Sequence, residues 1–205
     1  MNISPLSATI AAPSVELRDS GIPPERPLRI FLALWPSYET AQTMLDWVHD
    51  AHGLCGGRKM APETLHLTLA FLGSTPAHRA YALAHDMAQW RLSWHALALT
   101  RFGRFEGPGV VWAGVTNSDD ERIGWLDALH DTIWQRLEAL GFARSEQRFR
   151  PHVSLLRKAG PGDVSTLKRP ELIWRPERCV LVASQPGEHT SLYKELASVQ
   201  YELKA

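Results

Sequence analysis

The chain has 205 residues, 44% of them hydrophobic and 21% charged, which fits a packed globular protein and excludes wholesale disorder. Lys plus Arg and Asp plus Glu both total 22, so there is no global cationic field of the kind that coats long nucleic acid. Cys55 and Cys179, the only cysteines, make neither a disulfide framework nor a zinc cage; with no apolar run near the ~20 residues of a membrane span and no signal peptide, a cytoplasmic protein is expected.

Residues 1–27 are rich in Ser, Pro and Ala and close on Pro23-Pro24 and Pro27, which predicts a flexible extension ahead of one domain over 28–205. LRIFLALW, from Leu28, is an apolar run of strand length. A helix then opens with Ser37 as N-cap, turns Tyr38, Ala41, Met44, Leu45 and Val48 to one face, and is expected to stop at Gly53. A strand is predicted over 64–71, followed by a helix with Thr75 as cap and Pro76 at its first position, carrying Tyr81, Ala84, Met87 and Ala88 inward. Strands near 94–102 and 110–116 precede the longest helix, from about Asp120 to Leu140, with Ile123, Leu126, Ile133, Leu137 and Leu140 as its stripe and Gly141 as its end. A strand near 150–156, a loop holding Gly160, Pro161 and Gly162, and strands near 178–184 and 190–197 complete the order. Strands in adjacent groups as well as alternating with helices predict an α+β fold with antiparallel pairing. A helix, a short link and a strand bearing His-x-Thr or His-x-Ser occur twice, pointing to two similar lobes that face each other.

Those two strands carry the chemistry. In TLHLTLAF, residues 64–71, the strand period of two puts Leu65, Leu67, Leu69 and Phe71 on one face and His66 with Thr68 on the other. In RPHVSLLRK, residues 150–158, Pro151, Val153 and Leu155 share one face and His152 with Ser154 the other. A single His-x-hydroxyl strand is commonplace and usually means a half-buried, hydrogen-bonded histidine; the duplication lifts the signal. Opening a five-membered cyclic phosphate needs a water activated on one side of phosphorus and a proton delivered to the departing oxygen on the other. Imidazole, with an ordinary pKa of about 6.5, does either near neutrality. Thr68 and Ser154 can donate to the non-bridging oxygens as charge builds there. No metal or other cofactor is needed.

The motifs HLTLAFLG (66–73) and PHVSLLRK (151–158) resemble the two signatures of the two-histidine (2H) phosphoesterases, and within them the bacterial RNA 2′,3′-cyclic phosphodiesterases, historically called 2′-5′ RNA ligases. FLALWP near the start, GVVWAG at 109–114 and the closing strands around LVASQ and Tyr193 extend the resemblance over nearly everything from Leu28 to Leu196. The resemblance implies a bilobal fold of two antiparallel β-sheets facing across a central cleft, helices packed outside, with one signature strand per lobe. It implies hydrolysis of RNA 2′,3′-cyclic phosphate ends to 2′-phosphomonoesters, and in some members reversible 2′-5′ joining. Carried over by position, His66 and His152 are the catalytic pair, and Thr68, Ser154 and Arg157 hold the substrate, with Arg157 on the phosphate. Ser154 stands where threonine is commoner. Strict alternation would also turn Arg157 to the core face, so a bulge or strand end before it is required.

His152 is assigned as the base and His66 as the acid, or the reverse, since sequence gives no handedness. Arg144, Arg148, Arg150, Arg157 and Lys158 cluster around the second motif against Glu146 alone, either as a solvated basic face or as a rim for an RNA terminus. His49 and His52, near Asp46 and Asp50, are better read as helix surface than as metal ligands. Trp35, Trp112 and Phe71 could stack on a base, although burial is the commoner fate of each. Expected partners are RNA cyclic-phosphate ends or cyclic nucleotides, with no membrane and a monomeric state. The alternatives are a non-catalytic nucleotide or RNA-end binding module, and a 2H enzyme acting on a small cyclic nucleotide or 2′-5′ oligoadenylate.

Overall fold

The structure, a computed structural model, describes residues 26–114, 122–167, 172–186 and 191–200. The expected extension lies almost wholly outside this set, as does the expected start of the long helix at Asp120.

β1 (Leu28–Trp35) leads into α1 (Tyr38–Cys55), whose N-cap is Ser37; the Ser37 hydroxyl accepts from the Thr40 amide at 3.2 Å. The helix does not stop at Gly53. Gly53 sits at a regular helical position, and the turn comes at Gly56 and Gly57, whose φ values of 59° and 85° need glycine. β2 (Arg58–Lys59) and a short 3₁₀ turn (Pro62–Thr64) follow, then β3 (Leu67–Thr75) and α2 (Ala77–Met87). Thr75 does not cap α2: its hydroxyl turns back to the carbonyls of Leu72 and Gly73, and Pro76 holds the N-cap position. The expected strand over 94–102 divides into β4 (Leu97–Leu99) and β5 (Arg101–Phe105), which belong to different sheets. β6 (Val110–Gly114), α3 (Gly124–Ala139), β7 (His152–Arg157), β8 (Leu172–Trp174), β9 (Arg178–Pro186) and β10 (Ser191–Gln200) complete the described chain.

The main sheet is antiparallel and eight-stranded, in the order β10, β9, β1, β3, β7, β6, β5, with β2 on β7; β4 and β8 form a separate pair. It consists of two antiparallel halves, one ending at β3 and the other at β7, joined through the single pair Leu67–Val153. The two signature strands are thus the inner edges of the two halves.

The helices α1, α2 and α3 bury their stripes on one face of this sheet. Ile30, Leu32 and Leu34 of β1, Leu65, Leu67 and Leu69, and Val153, Leu155 and Leu156 meet Met44, Val48, Leu83, Ile133 and Leu137 in one core. The helices also knit the halves together, because α1, which follows β1, packs on β7, and α3, which precedes β7, packs on β3. On the opposite face Phe31, Ala33, Val180 and Val182 form a second cluster, flanked by Trp35 and Tyr193. β1 is therefore buried on both sides, which explains its unbroken apolar run. No helix among the described residues is long and apolar enough to cross a membrane.

Strict alternation fails in both signature strands. In β3 the register with β1 slips twice, pairing Leu32 with Ala70 but Ala33 with Thr68, and Phe31 with Phe71 but Ile30 with Gly73. Leu69 and Ala70 are consequently both buried, and Phe71, expected in the core, is 50% exposed with the Arg29 guanidinium over its ring. In β7 the register with β6 slips between Leu156 and Ser154, leaving Leu155 as the extra residue.

Candidate active site

The bulge at Leu155 decides where Arg157 points. Both Leu155 and Leu156 are buried in the helix-side core, so the next residue returns to the face of His152 and Ser154. The Arg157 charge depresses the proton affinity of both His66 and His152 and opposes the upward push of burial on the Tyr193 phenol, so the guanidinium is within electrostatic reach of all three groups.

His66 and His152 each precede one member of the Leu67–Val153 pair. In antiparallel register this sets the two histidines at opposite corners of a four-residue patch, with Ser154 across from His66 and Thr68 across from His152. Diagonal neighbours of this kind have backbones roughly 7–8 Å apart. Leu67 and Val153 are fully buried on the other face, which pins the patch to the core.

The two rings are held alike. His66 Nδ1 lies 2.7 Å from the Thr64 carbonyl and His152 Nδ1 lies 2.7 Å from the Arg150 carbonyl. A carbonyl can only accept, so each Nδ1 carries the proton and each Nε2 is left for chemistry. Thr64 is itself fixed, its hydroxyl donating to the Ala61 carbonyl at 2.7 Å within the 3₁₀ turn begun by Pro62.

The surroundings of the rings differ. His66 stacks on Phe31 (centroids 4.8 Å) and on Trp35 (5.1 Å, interplanar angle 9°), with Tyr193 edge-on at 5.7 Å. Burial among these rings pushes its pKa down to about 4, against the Thr64 hydrogen bond and with help from Arg157 and His152. His152 meets Phe105 edge-on at 5.0 Å and Trp112 at 6.3 Å; burial lowers its pKa too, helped by Arg157, while the Arg150 bond opposes. A cavity of about 370 Å³, lined in part by Trp35, Thr64, Val182, Leu192 and Tyr193, adjoins the His66 side.

All five expected site residues thus lie around one patch. The expected basic cluster splits instead. Arg144 turns to α3, where it pairs with Asp131 at 2.6 Å and approaches His130, itself stacked on Phe149. Arg148 and Arg150 remain beside His152. Of the aromatic candidates, Trp35 and Trp112 touch the histidines, while Phe71 contacts Arg29 at 4.9 Å. His49 and His52 join no group of three potential metal ligands among the described residues. Phe31, Phe105 and the two anchoring carbonyls are site features that the sequence reading does not single out, and it assigns Tyr193 no role at the site. The alternation of Phe31 and Trp35 against Ile30, Leu32 and Leu34 is the signal that could have found the first.

Residues 36–182 match the 2′-5′ RNA ligase superfamily. The chain belongs to that superfamily. Among curated relatives, the RNA 2′,3′-cyclic phosphodiesterase of Escherichia coli (strain K12) is 29% identical over 148 residues, covering 72% of this chain and 81% of the relative. An enzyme of the same name from Archaeoglobus fulgidus is 26% identical over 133 residues, covering 63% and 72%. Among solved structures, E. coli LigT complexed with 3′-AMP superimposes with a TM-score of 0.68 at 25% identity, covering 86% of this chain and 99% of that one. TT0787 of Thermus thermophilus does so at 0.57 and 23%, covering 84% and 97%, a likeness of fold alone.

Proposed function

We propose that the protein hydrolyses RNA 2′,3′-cyclic phosphate ends to 2′-phosphomonoesters, with His152 and His66 as general base and acid. The observation that carries this reading is the patch itself: two imidazoles in the same tautomer at opposite corners, two hydroxyls at the others, and Arg157 beside them. The relatives' shared name supplies the substrate class.

The assignment of roles follows from what stays attached to what. The oxygen that leaves phosphorus remains on the ribose, so the acid belongs on the nucleoside side. The 370 Å³ cavity, within the usual range for small-molecule sites, is lined by Trp35 and Tyr193, the rings that pack against His66. Water then attacks from the His152 side. His152 Nε2 takes its proton, the P–O3′ bond breaks, and His66 Nε2–H protonates O3′. Thr68, Ser154 and Arg157 donate to the non-bridging oxygens, where negative charge grows. In the free site His66 is too readily deprotonated to serve as acid; the bound phosphate anion, a hydrogen bond away, offsets its burial and loads it. As the proton passes to O3′ the ring returns to the neutral form that its burial favours. Nothing in this chemistry requires a membrane or a second subunit, and we take the enzyme to be a cytoplasmic monomer.

The test is incubation with a 2′,3′-cyclic mononucleotide and with an RNA bearing the same end. A 2′-phosphate product is expected from both. A 3′-phosphate would reverse the leaving oxygen, and binding without product would make the chain a nucleotide-binding module.

A further inference from the structure

His152 takes its orientation from outside the sheet. Its Nδ1 donates to the Arg150 carbonyl, and Arg150 belongs to a connection, residues 140–151, that is neither helix nor strand. Pro151 narrows the freedom of that connection: it confines Arg150 to extended backbone and locks its own φ on the way into His152. Where the Arg150 carbonyl points then depends on what holds the residue before it.

That residue is Phe149. From Ala143 to Arg150 every side chain is exposed except that of Phe149, which is half-buried. Its ring lies face to face with the His130 ring of α3, centroids 4.0 Å apart at an interplanar angle of 14°. His130 is a firm platform. It is buried, its Nε2 accepts at 3.1 Å from the indole N–H of Trp134 one helical turn on, and its Nδ1 lies 3.6 Å from the Asp131 carboxylate. Burial and the neighbouring Arg144 guanidinium lower its pKa against the pull of Asp131 and Asp127, so the ring that meets Phe149 near neutral pH is the uncharged one. Arg144 also pairs with Asp131 at 2.6 Å, tying the start of the same connection to the same turn of α3. His66 is anchored independently. Its partner Thr64 sits in the 3₁₀ turn ahead of β3, where its amide and its hydroxyl both donate to the Ala61 carbonyl.

Resting on the function proposed above, we propose that His130 and Phe149 are positioning residues for His152: their stack fixes the Arg150 carbonyl, which keeps the His152 proton on Nδ1 and its Nε2 turned to the attacking water. They act through the backbone and not on the substrate.

The experiment follows the two active-site histidines separately, by heteronuclear NMR of the imidazole nitrogens, in the wild type, Phe149→Leu, Phe149→Tyr and His130→Ala. In the wild type both rings are expected as the Nδ1–H tautomer. In Phe149→Leu, His152 should become a mixture of tautomers and titrate at lower pH, since the Arg150 bond holds its pKa up, while His66 keeps its tautomer and its titration. On a 2′,3′-cyclic mononucleotide kcat should fall about tenfold or more with KM little changed, because a misaimed base costs chemistry rather than binding. Phe149→Tyr, which keeps a ring to stack, should recover most of both effects. His130→Ala removes the other half of the stack and should reproduce the changes at His152; it decides the matter should Phe149→Leu not fold. A His152 ring unaltered in tautomer and titration in these variants overturns the proposal. So does a change shared equally by His66, which would mean a general loosening of the fold. The NMR readout needs no turnover, so a wild type without cyclic phosphodiesterase activity would sink the parent function while the positioning role is still judged on the rings.

Discussion

At the scale of single residues the site rests on two rings with a shared tautomer and unlike surroundings. Replacing His66 or His152 by Ala is expected to lower kcat by at least about 10²–10⁴-fold on a 2′,3′-cyclic nucleotide, as for other general acid–base groups; near wild-type turnover in either variant would refute the mechanism. The depressed pKa of His66 also ties stability to pH. The native state binds this proton less readily than the unfolded chain, so its contribution is full above the unfolded value of 6.5 and is lost as pH falls toward 4. The total is about 3 kcal/mol. Urea unfolding at pH 7 and pH 4.5 should show this loss in the wild type and a smaller one in His66→Gln. Kinetically, kcat/KM reports the free enzyme, where both histidines titrate below 6.5, so it should decline with rising pH from the acid side of neutrality. The kcat profile, reporting the anion-bound site, should hold to higher pH.

At the scale of elements, what positions the side chains is irregularity within regular strands. The period-two reading of TLHLTLAF and RPHVSLLRK puts His66, Thr68, His152 and Ser154 on one face, and they lie there because Leu65, Leu67 and Val153 have a core to fill. The same rule fails at Phe71 and, without a bulge, would fail at Arg157. A bulge is written in the pairing with a neighbouring strand, here β1 against β3 and β6 against β7, and not in the strand's own residues. The stop of α1 escapes the sequence for a related reason: Gly53 and Gly56 are alike as residues, and only the backbone conformation separates them. The aromatic box around His66 is hidden because Trp35 and Tyr193 come from strands far apart in the chain. On the other half, Trp112 lies flat over Gly103 of the paired strand, where an added Cβ would collide with the indole ring. Gly103→Ala should therefore tilt Trp112 into His152, costing about 1–3 kcal/mol of stability and a clear drop in kcat. Thermal melts and steady-state rates read both; an unchanged kcat would mean that the indole does not set the His152 ring.

At the scale of the whole molecule, two half-sheets share one helical layer and meet at one residue pair. In the proposed mechanism the acid, the base and the oxyanion donors all come from the chain itself, so turnover is expected to be the same with and without EDTA. A loss restored by a divalent cation would move the protein into a different mechanistic class.

The meeting of the halves at Leu67 and Val153 carries one more consequence. Because the imidazoles flank that junction, the gap between them is measured out by the spacing of neighbouring strands, a near-invariant of polypeptide chemistry. In the proposed mechanism that spacing serves as a built-in gauge, setting the two rings about one phosphate's width apart on either side of the reacting phosphorus.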